Sequence, residues 1–225
     1  IAYHEGGHAV VQRALPKCDP VSKVTIVSRG MALGYTMSLP SEDRYLHSKS
    51  EFEDKIAGML AGHVAEEIVF GDTTTGASND IEKATGLARA MVTQYGMSEK
   101  LGPLTFGKKD EMIFLGREIS EQRNYSDAIA AKIDAEVREI IDRAYQRAKV
   151  ALTTHREVLD RLAALLIEKE TIEAEEFETL FVGVLPPRGS SGPTPRRAGE
   201  ADAADEVPVV EPRPKRRRKP APQPA

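Results

Sequence analysis

Apolar positions along this chain change their period several times, and each change marks an element. Residues 2–14 read as a helix that stops at Pro16. Val21-Ser-Lys-Val-Thr-Ile-Val27 is β-branched and partly alternating, which predicts a strand; Ser28-Arg29-Gly30 is a turn signal, and Ala32-Leu-Gly-Tyr-Thr-Met-Ser-Leu39 reads as the returning strand. A second helix starts at Ser48 or Ser50 as N-cap, repeats apolar residues every four positions (Phe52, Ile56, Leu60, Val64, Ile68) and ends at Gly71-Asp72. A third runs from Ser78 or Asn79 to Tyr95, with Gly96 as its stop. Residues 97–119 mix Gly, Pro and short apolar pieces and read as an irregular loop. Residues 120–155 then carry a helical pattern through Ile129, Ile133, Val137, Ile140, Ile141, Ala144 and Ala148. Residues 157–168 form another helix packing back on it, and Thr171-Ile-Glu-Ala-Glu is expected to begin a last short helix. The expected fold is mainly α, with a small β-hairpin and no internal repeat.

Composition changes this picture at one place. From residue 186 the chain becomes rich in Pro, Arg, Gly and Ala, with Val207, Val209 and Val210 as its only large apolar residues. Such a segment buries too little surface to offset the entropy of ordering. The expectation is a domain at 1–185 and a disordered basic tail at 186–225. The tail's nine basic and five acidic residues, against a net charge of −4 for all 225, leave −8 on residues 1–185. An acidic body argues against specific nucleic-acid binding, and the Lys215–Lys219 cluster reads as part of a solvated charged tail. The single cysteine, Cys18, excludes an internal disulfide and reads as an ordinary small residue. No apolar run reaches the roughly 18 residues that cross a bilayer. The chain begins at Ile1, inside a motif, and so reads as a piece of a longer one.

That motif is His4-Glu5-Gly6-Gly7-His8. On a helix, residues four apart share a face, so both imidazoles can aim at one point. This is how Zn²⁺ takes two ligands from one helix. Glu5 is rotated by about 100° and reaches a neighbouring water instead of the ion. Zinc brings the pKa of such a water toward ~7, and the carboxylate can then move its proton during attack on a carbonyl. Chance would place this His-Glu-x-x-His pattern of zinc peptidases in such a chain about once in a hundred. Gly6 and Gly7 are poor helix formers, so small residues there imply close approach by neighbouring chain. A catalytic zinc needs a third ligand. His47, His63 and His155 read as surface or packing residues, which leaves Glu66, Glu67 and Asp80. Asp80 also suits a helix start, where the macrodipole favours an acid. The hairpin is expected to present an open edge beside the site, with Gly34 allowing close backbone approach.

The pattern extends well beyond the motif. His4-Glu5-Gly6-Gly7-His8, Asp19-Pro-Val-Ser-Lys-Val-Thr-Ile26, Ala32-Leu-Gly-Tyr35, Leu39-Pro-Ser-Glu-Asp-Arg-Tyr45, Ala65-Glu-Glu67, Thr74-Thr-Gly-Ala-Ser-Asn-Asp-Ile81 and Gly96-Met-Ser-Glu-Lys-Leu-Gly-Pro103 together resemble the FtsH family of membrane-bound ATP-dependent zinc metalloproteases. The resemblance covers residues 1 to about 182 and excludes the tail; Gly6 stands where the family usually has Ala. It implies a mostly helical proteolytic domain with one Zn²⁺, His4, His8 and Asp80 as metal ligands and Glu5 as the catalytic glutamate. Glu66 is left as the candidate to orient a ligand histidine. It further implies ATP and Mg²⁺ acting only through an ATPase domain outside this sequence. The partners implied are a homohexamer and unfolded or membrane proteins as substrates, with membrane attachment through N-terminal segments and a peptidase domain facing the cytoplasm. The nearest approach to a Walker A sequence, Gly102-Pro-Leu-Thr-Phe-Gly-Lys-Lys109, has Lys109 where a hydroxyl is required. The competing expectations are a zinc-binding but inactive hexamer-assembly domain and a zinc hydrolase of small amides.

Overall fold

The computed structural model describes residues 1–28, 34–39, 46–107 and 124–187. Helix α1 (Ala2–Ala14) forms despite its two adjacent glycines because most of its side chains are buried. In isolation each glycine would cost up to about 1 kcal/mol relative to Ala. Packing reverses that preference. A Cβ on Gly7 would stand 2.6 Å from the Ala65 Cβ and 2.7 Å from the Ala61 carbonyl oxygen, both on helix α2 (Lys49–Phe70). A Cβ on Gly6 would stand 3.1 Å from Leu159 on helix α5 (Arg156–Lys169). The neighbouring chain anticipated from the glycines is therefore these two helices.

Helix α2 is the centre of the domain. A capping box starts it: Ser48 accepts from the Glu51 amide and the Glu51 carboxylate accepts from the Ser48 amide. Gly71, in the left-handed region at φ 68°, ends it. Helices α1, α3 (Ser78–Thr93) and α4 (Asp127–Thr154) all pack on it. Val10 and Val11 of α1, Ile56, Leu60 and Val64 of α2, Ile133 and Leu152 of α4, and Leu159, Leu162 and Leu166 of α5 form one buried core. The expected four-residue apolar repeat of α2 is present, but Ala57, Ala61 and Ala65 are buried as well, because neighbours cover this helix on several sides.

The hairpin is present and has gained a strand. Strands β1 (Val21–Thr25), β2 (Tyr35–Ser38) and β3 (Thr171–Glu173) form an antiparallel sheet in the order β2-β1-β3, with Val24 opposite both Thr36 and Ile172. The expected helix at residue 171 is thus corrected: a strand comes first, and helix α6 (Ala174–Thr179) follows. The cause is non-local. Glu170 takes a left-handed conformation at φ 63°, and its carbonyl accepts from the Ile26 amide and the Thr25 hydroxyl, which docks the next three residues on β1. Helix α4 also starts later than the pattern suggested, at Asp127, because Ser126 caps the Ile129 amide.

Arg13 ties the end of α1 to the C-terminal part of the domain. It is buried, donates from Nε to Glu178 Oε2 at 2.8 Å and from Nη2 to the Pro186 carbonyl at 2.9 Å, and lies over the Phe181 ring. From residue 188 on, the expected disordered tail lies outside the described residues, as do residues 108–123, which take in much of the expected loop. Among the described residues no helix is long and apolar enough to cross a membrane.

The α1–α2 crossing generates a stability prediction. Gly7→Ala must push α1 off backbone as well as side-chain atoms, so it should destabilise the protein by about 1–3 kcal/mol. Thermal unfolding checks this: Tm should fall by several degrees, and an unchanged Tm would show that the helices separate freely.

Candidate metal centre

The rise of α1 sets His4 and His8 one turn apart, and α2 supplies the surface on which both rings rest. That surface is bare: a Cβ on Gly62 would stand 2.6 Å from both His4 Cε1 and His8 Nε2. Helix α2 also fixes each ring. His4 Nδ1 lies 2.9 Å from Glu66 Oε1, and His8 Nδ1 lies 2.7 Å from the Gly58 carbonyl oxygen. A carbonyl only accepts and an ionised carboxylate only accepts, so both Nδ1 atoms carry the proton. Both Nε2 atoms are left with lone pairs directed into the same space.

Asp80 arrives from α3. Glu66 prepares its position, because Glu66 Oε2 accepts from the Thr74 amide at 2.8 Å and Glu66 Oε1 from the Thr74 hydroxyl at 3.3 Å. Thr74 in turn caps the short 3-10 turn Thr75–Ala77 that leads into α3, and Asp80 lies in the first turn of that helix. One carboxylate on α2 therefore orients a histidine of α1 and fastens the turn that launches the third acid.

His4 Nε2, His8 Nε2 and Asp80 Oδ2 form a nearly equilateral triangle with sides of 3.2, 3.5 and 3.3 Å. Three lone-pair donors at that spacing repel unless a cation sits among them. Bonds of about 2.0–2.1 Å to a tetrahedral zinc would space its ligands by roughly 3.3–3.4 Å. The donor set fits such an ion, and it leaves a fourth position for water or substrate. Among the described residues, these three are the only group of three or more that could hold a metal. Without a cation the cluster attracts protons. Burial would raise the Asp80 carboxyl, but the two imidazoles hold it well below the usual carboxylate range. Burial would lower His4, yet Asp80 and Glu66 bring it above its ordinary value. Glu66 behaves like Asp80: the Thr74 amide and His4 outweigh its burial and lower it.

Glu5 is buried and does not join the triangle, but it lines the same groove. That groove encloses about 1630 Å³. It is bordered by Ile1, Phe70 and Thr75 at one end, by Lys17, Asp19 and Phe52 at the other, and by Gly34 to Thr36 and Ser38 along the sheet. His47 lies in the groove against the Phe52 ring, while His63 and His155 lie outside it. Sequence reasoning did not find Gly58, Gly62, Thr36 or Thr74. Gly58 and Gly62 recur at helical spacing, a signal of close approach that was available; the contacts of Thr36 and Thr74 are tertiary and carried none.

The model of peptidase family M41 matches residues 1–180. The chain belongs to peptidase family M41. Among its relatives, ATP-dependent zinc metalloprotease FtsH 1 of Thermomicrobium roseum is 53% identical over 228 residues, covering 95% of this chain and 35% of that protein. FtsH 1 of Sphaerobacter thermophilus is 55% identical over 207 residues, covering 92% and 32%. FtsH of Chloroflexus aggregans is 56% identical over 189 residues, covering 83% and 29%. The chain thus spans about a third of the length of the curated relatives it matches.

In this M41 chain the bare surface at Gly62 is as necessary to the triangle as the donors themselves. Gly62→Ala would put a methyl group where the two rings lie. It should lose at least about tenfold in zinc affinity while retaining its helical content. Metal titration with circular dichroism tests this, and wild-type affinity in the variant would show that the rings can move aside.

Proposed function

We propose that this chain is the zinc-dependent endopeptidase domain of an FtsH-like ATP-dependent protease. The observation that carries the reading is the triangle of His4, His8 and Asp80 beside Glu5, inside a groove that follows a sheet edge. His4, His8 and Asp80 would hold a zinc ion, which would supply Lewis acidity toward a carbonyl and lower the pKa of water toward ~7. Glu5 takes a proton from the attacking water and returns it to the leaving amide nitrogen. Glu66 and the Gly58 carbonyl keep the two imidazoles in the tautomer and orientation that ligation needs.

The groove's dimensions favour a polypeptide over a small amide. The α2 residues that line it run from Glu51 to Phe70, about 28 Å along the helix, which accommodates roughly eight extended residues. The groove runs along Gly34 to Thr36 and Ser38, where an extended substrate would lie beside β2 and could add main-chain hydrogen bonds. Such binding reads backbone more than side chains and suits unfolded and membrane proteins as substrates. In this reading ATP and Mg²⁺ act through an ATPase domain outside the sequence, and the working unit is a homohexamer. Segments outside the sequence hold it at the membrane with this domain on the cytoplasmic side.

Two experiments test the assignment. Glu5→Gln should keep zinc and fold and lose cleavage of an unstructured protein by several orders of magnitude; near-normal proteolysis by a zinc-replete variant would remove Glu5 from the mechanism, whereas no cleavage by the zinc-replete unmutated protein would favour an inactive assembly domain. Asp80→Asn should be largely zinc-free after dialysis, whereas Glu66→Gln should keep zinc at ordinary concentrations and be impaired about 10–100-fold. Zinc lost only in Glu66→Gln would exchange the two roles.

A further inference from the structure

Glu5 is 7% exposed, and the residues that confine its carboxylate belong to β2 and the residue before it. Thr36 Oγ1 lies 2.9 Å from Glu5 Oε2 and 3.0 Å from the Glu5 backbone oxygen. Both of those oxygens only accept, so the hydroxyl is the donor and its single proton serves the pair. On the other side, a Cβ on Gly34 would stand 3.0 Å from both Glu5 Cγ and Glu5 Oε1, and 2.9 Å from the Thr25 carbonyl oxygen. Gly34 and Thr36 are two apart along extended chain and so share a face. One residue restrains the carboxylate by a hydrogen bond, and the other by leaving it just enough room.

We propose that Thr36 is a positioning residue for Glu5. This rests on the reading of Glu5 as general base given above. A neutral hydroxyl suits the task, because it orients the carboxylate without cancelling its charge as a lysine would. Catalytic groups must be held to within about 0.5 Å, and a misplacement near 1 Å costs roughly a hundredfold.

The test compares Thr36→Val and Thr36→Ser in the full natural protein, using cleavage of a fluorogenic unstructured peptide, with zinc content measured in each variant. Thr36→Val keeps the shape and loses the donor. It should retain zinc and keep KM within about twofold while kcat falls roughly 10- to 100-fold. Thr36→Ser keeps the donor and should restore most of kcat. A role in packing alone gives the reverse order, with Val near wild type and Ser impaired, and that result would overturn the proposal, as would an unchanged kcat in Thr36→Val. Thermal unfolding of the metal-free proteins adds a readout independent of turnover: the Tm losses of Thr36→Val and Glu5→Ala should be less than additive in the double variant, whereas full additivity means that the two side chains do not interact. Glu5→Gln separates the two levels. If it abolishes cleavage while Thr36→Val does not, only the positioning role fails. If it cleaves normally, the reading of Glu5 fails first.

Discussion

Helices α1 and α2 meet where neither can carry a side chain, and the site is built around that contact. Gly7 rests on Ala61 and Ala65, and Gly62 lies under His4 and His8. Interiors pack like solids, so a methyl group at either point cannot be absorbed by a small drift of neighbours. The close approach brings the Gly58 carbonyl and the Glu66 carboxylate within hydrogen-bond reach of the two Nδ1 atoms. Were the helices farther apart, the rings would lose their orienting partners and the lone pairs would no longer converge. The helix propensity sacrificed at Gly6 and Gly7, up to about 1 kcal/mol each, is thus exchanged for geometry that no larger residue permits.

The same contact explains why the third donor comes from another element. Helix α1 presents two ligand positions on one face, and α2 faces them with glycine, so the remaining direction is open only to a group from beyond the end of α2. The chain returns there through Gly71 and the Thr74-capped turn. A short acid in the first turn of a helix is restrained by its backbone and favoured by the local dipole. The dipole argument that made Asp80 look ordinary in the sequence therefore does not compete with ligation. Both act on the same residue, and Glu66 links them by holding His4 and Thr74 with one carboxylate.

How much of this was legible follows from the range of each interaction. The helices at 2–14 and 49–70 and the pairing of His4 with His8 depend on spacing within a few turns, which periodicity reports. The turn residues Gly71 and Gly96 do so too, through their left-handed backbone. Strand β3 depends on a partner nearly 150 residues away, so Thr171-Ile-Glu read as the start of the helix that follows it. Asp80 could be placed in the site only through resemblance, because nothing local distinguishes a ligand from a helix-start acid. Thr36 was invisible for the same reason: it sits in a strand that any β-branched residue would suit, and its contact with Glu5 exists only once the sheet docks on α1.

The site is therefore held by two parts of the fold. The three metal-directed donors stand on helices locked by a continuous core, whereas Glu5 is on a helix but takes its orientation from a sheet edge. That sheet is anchored through its other two strands. Strand β3 fixes β1 through Thr25, whose hydroxyl bonds the Glu170 carbonyl and Thr171, and β1 in turn pairs with β2. The backbone of Thr25 also limits Gly34 from behind. A disturbance at residues 170–173 can thus reach Glu5 through β1 and β2 without passing through the core that holds His4, His8 and Asp80. On the proposed roles, metal binding and proton transfer would be separable, since the first would depend on how closely α1 and α2 pack and the second on where the sheet sits against them.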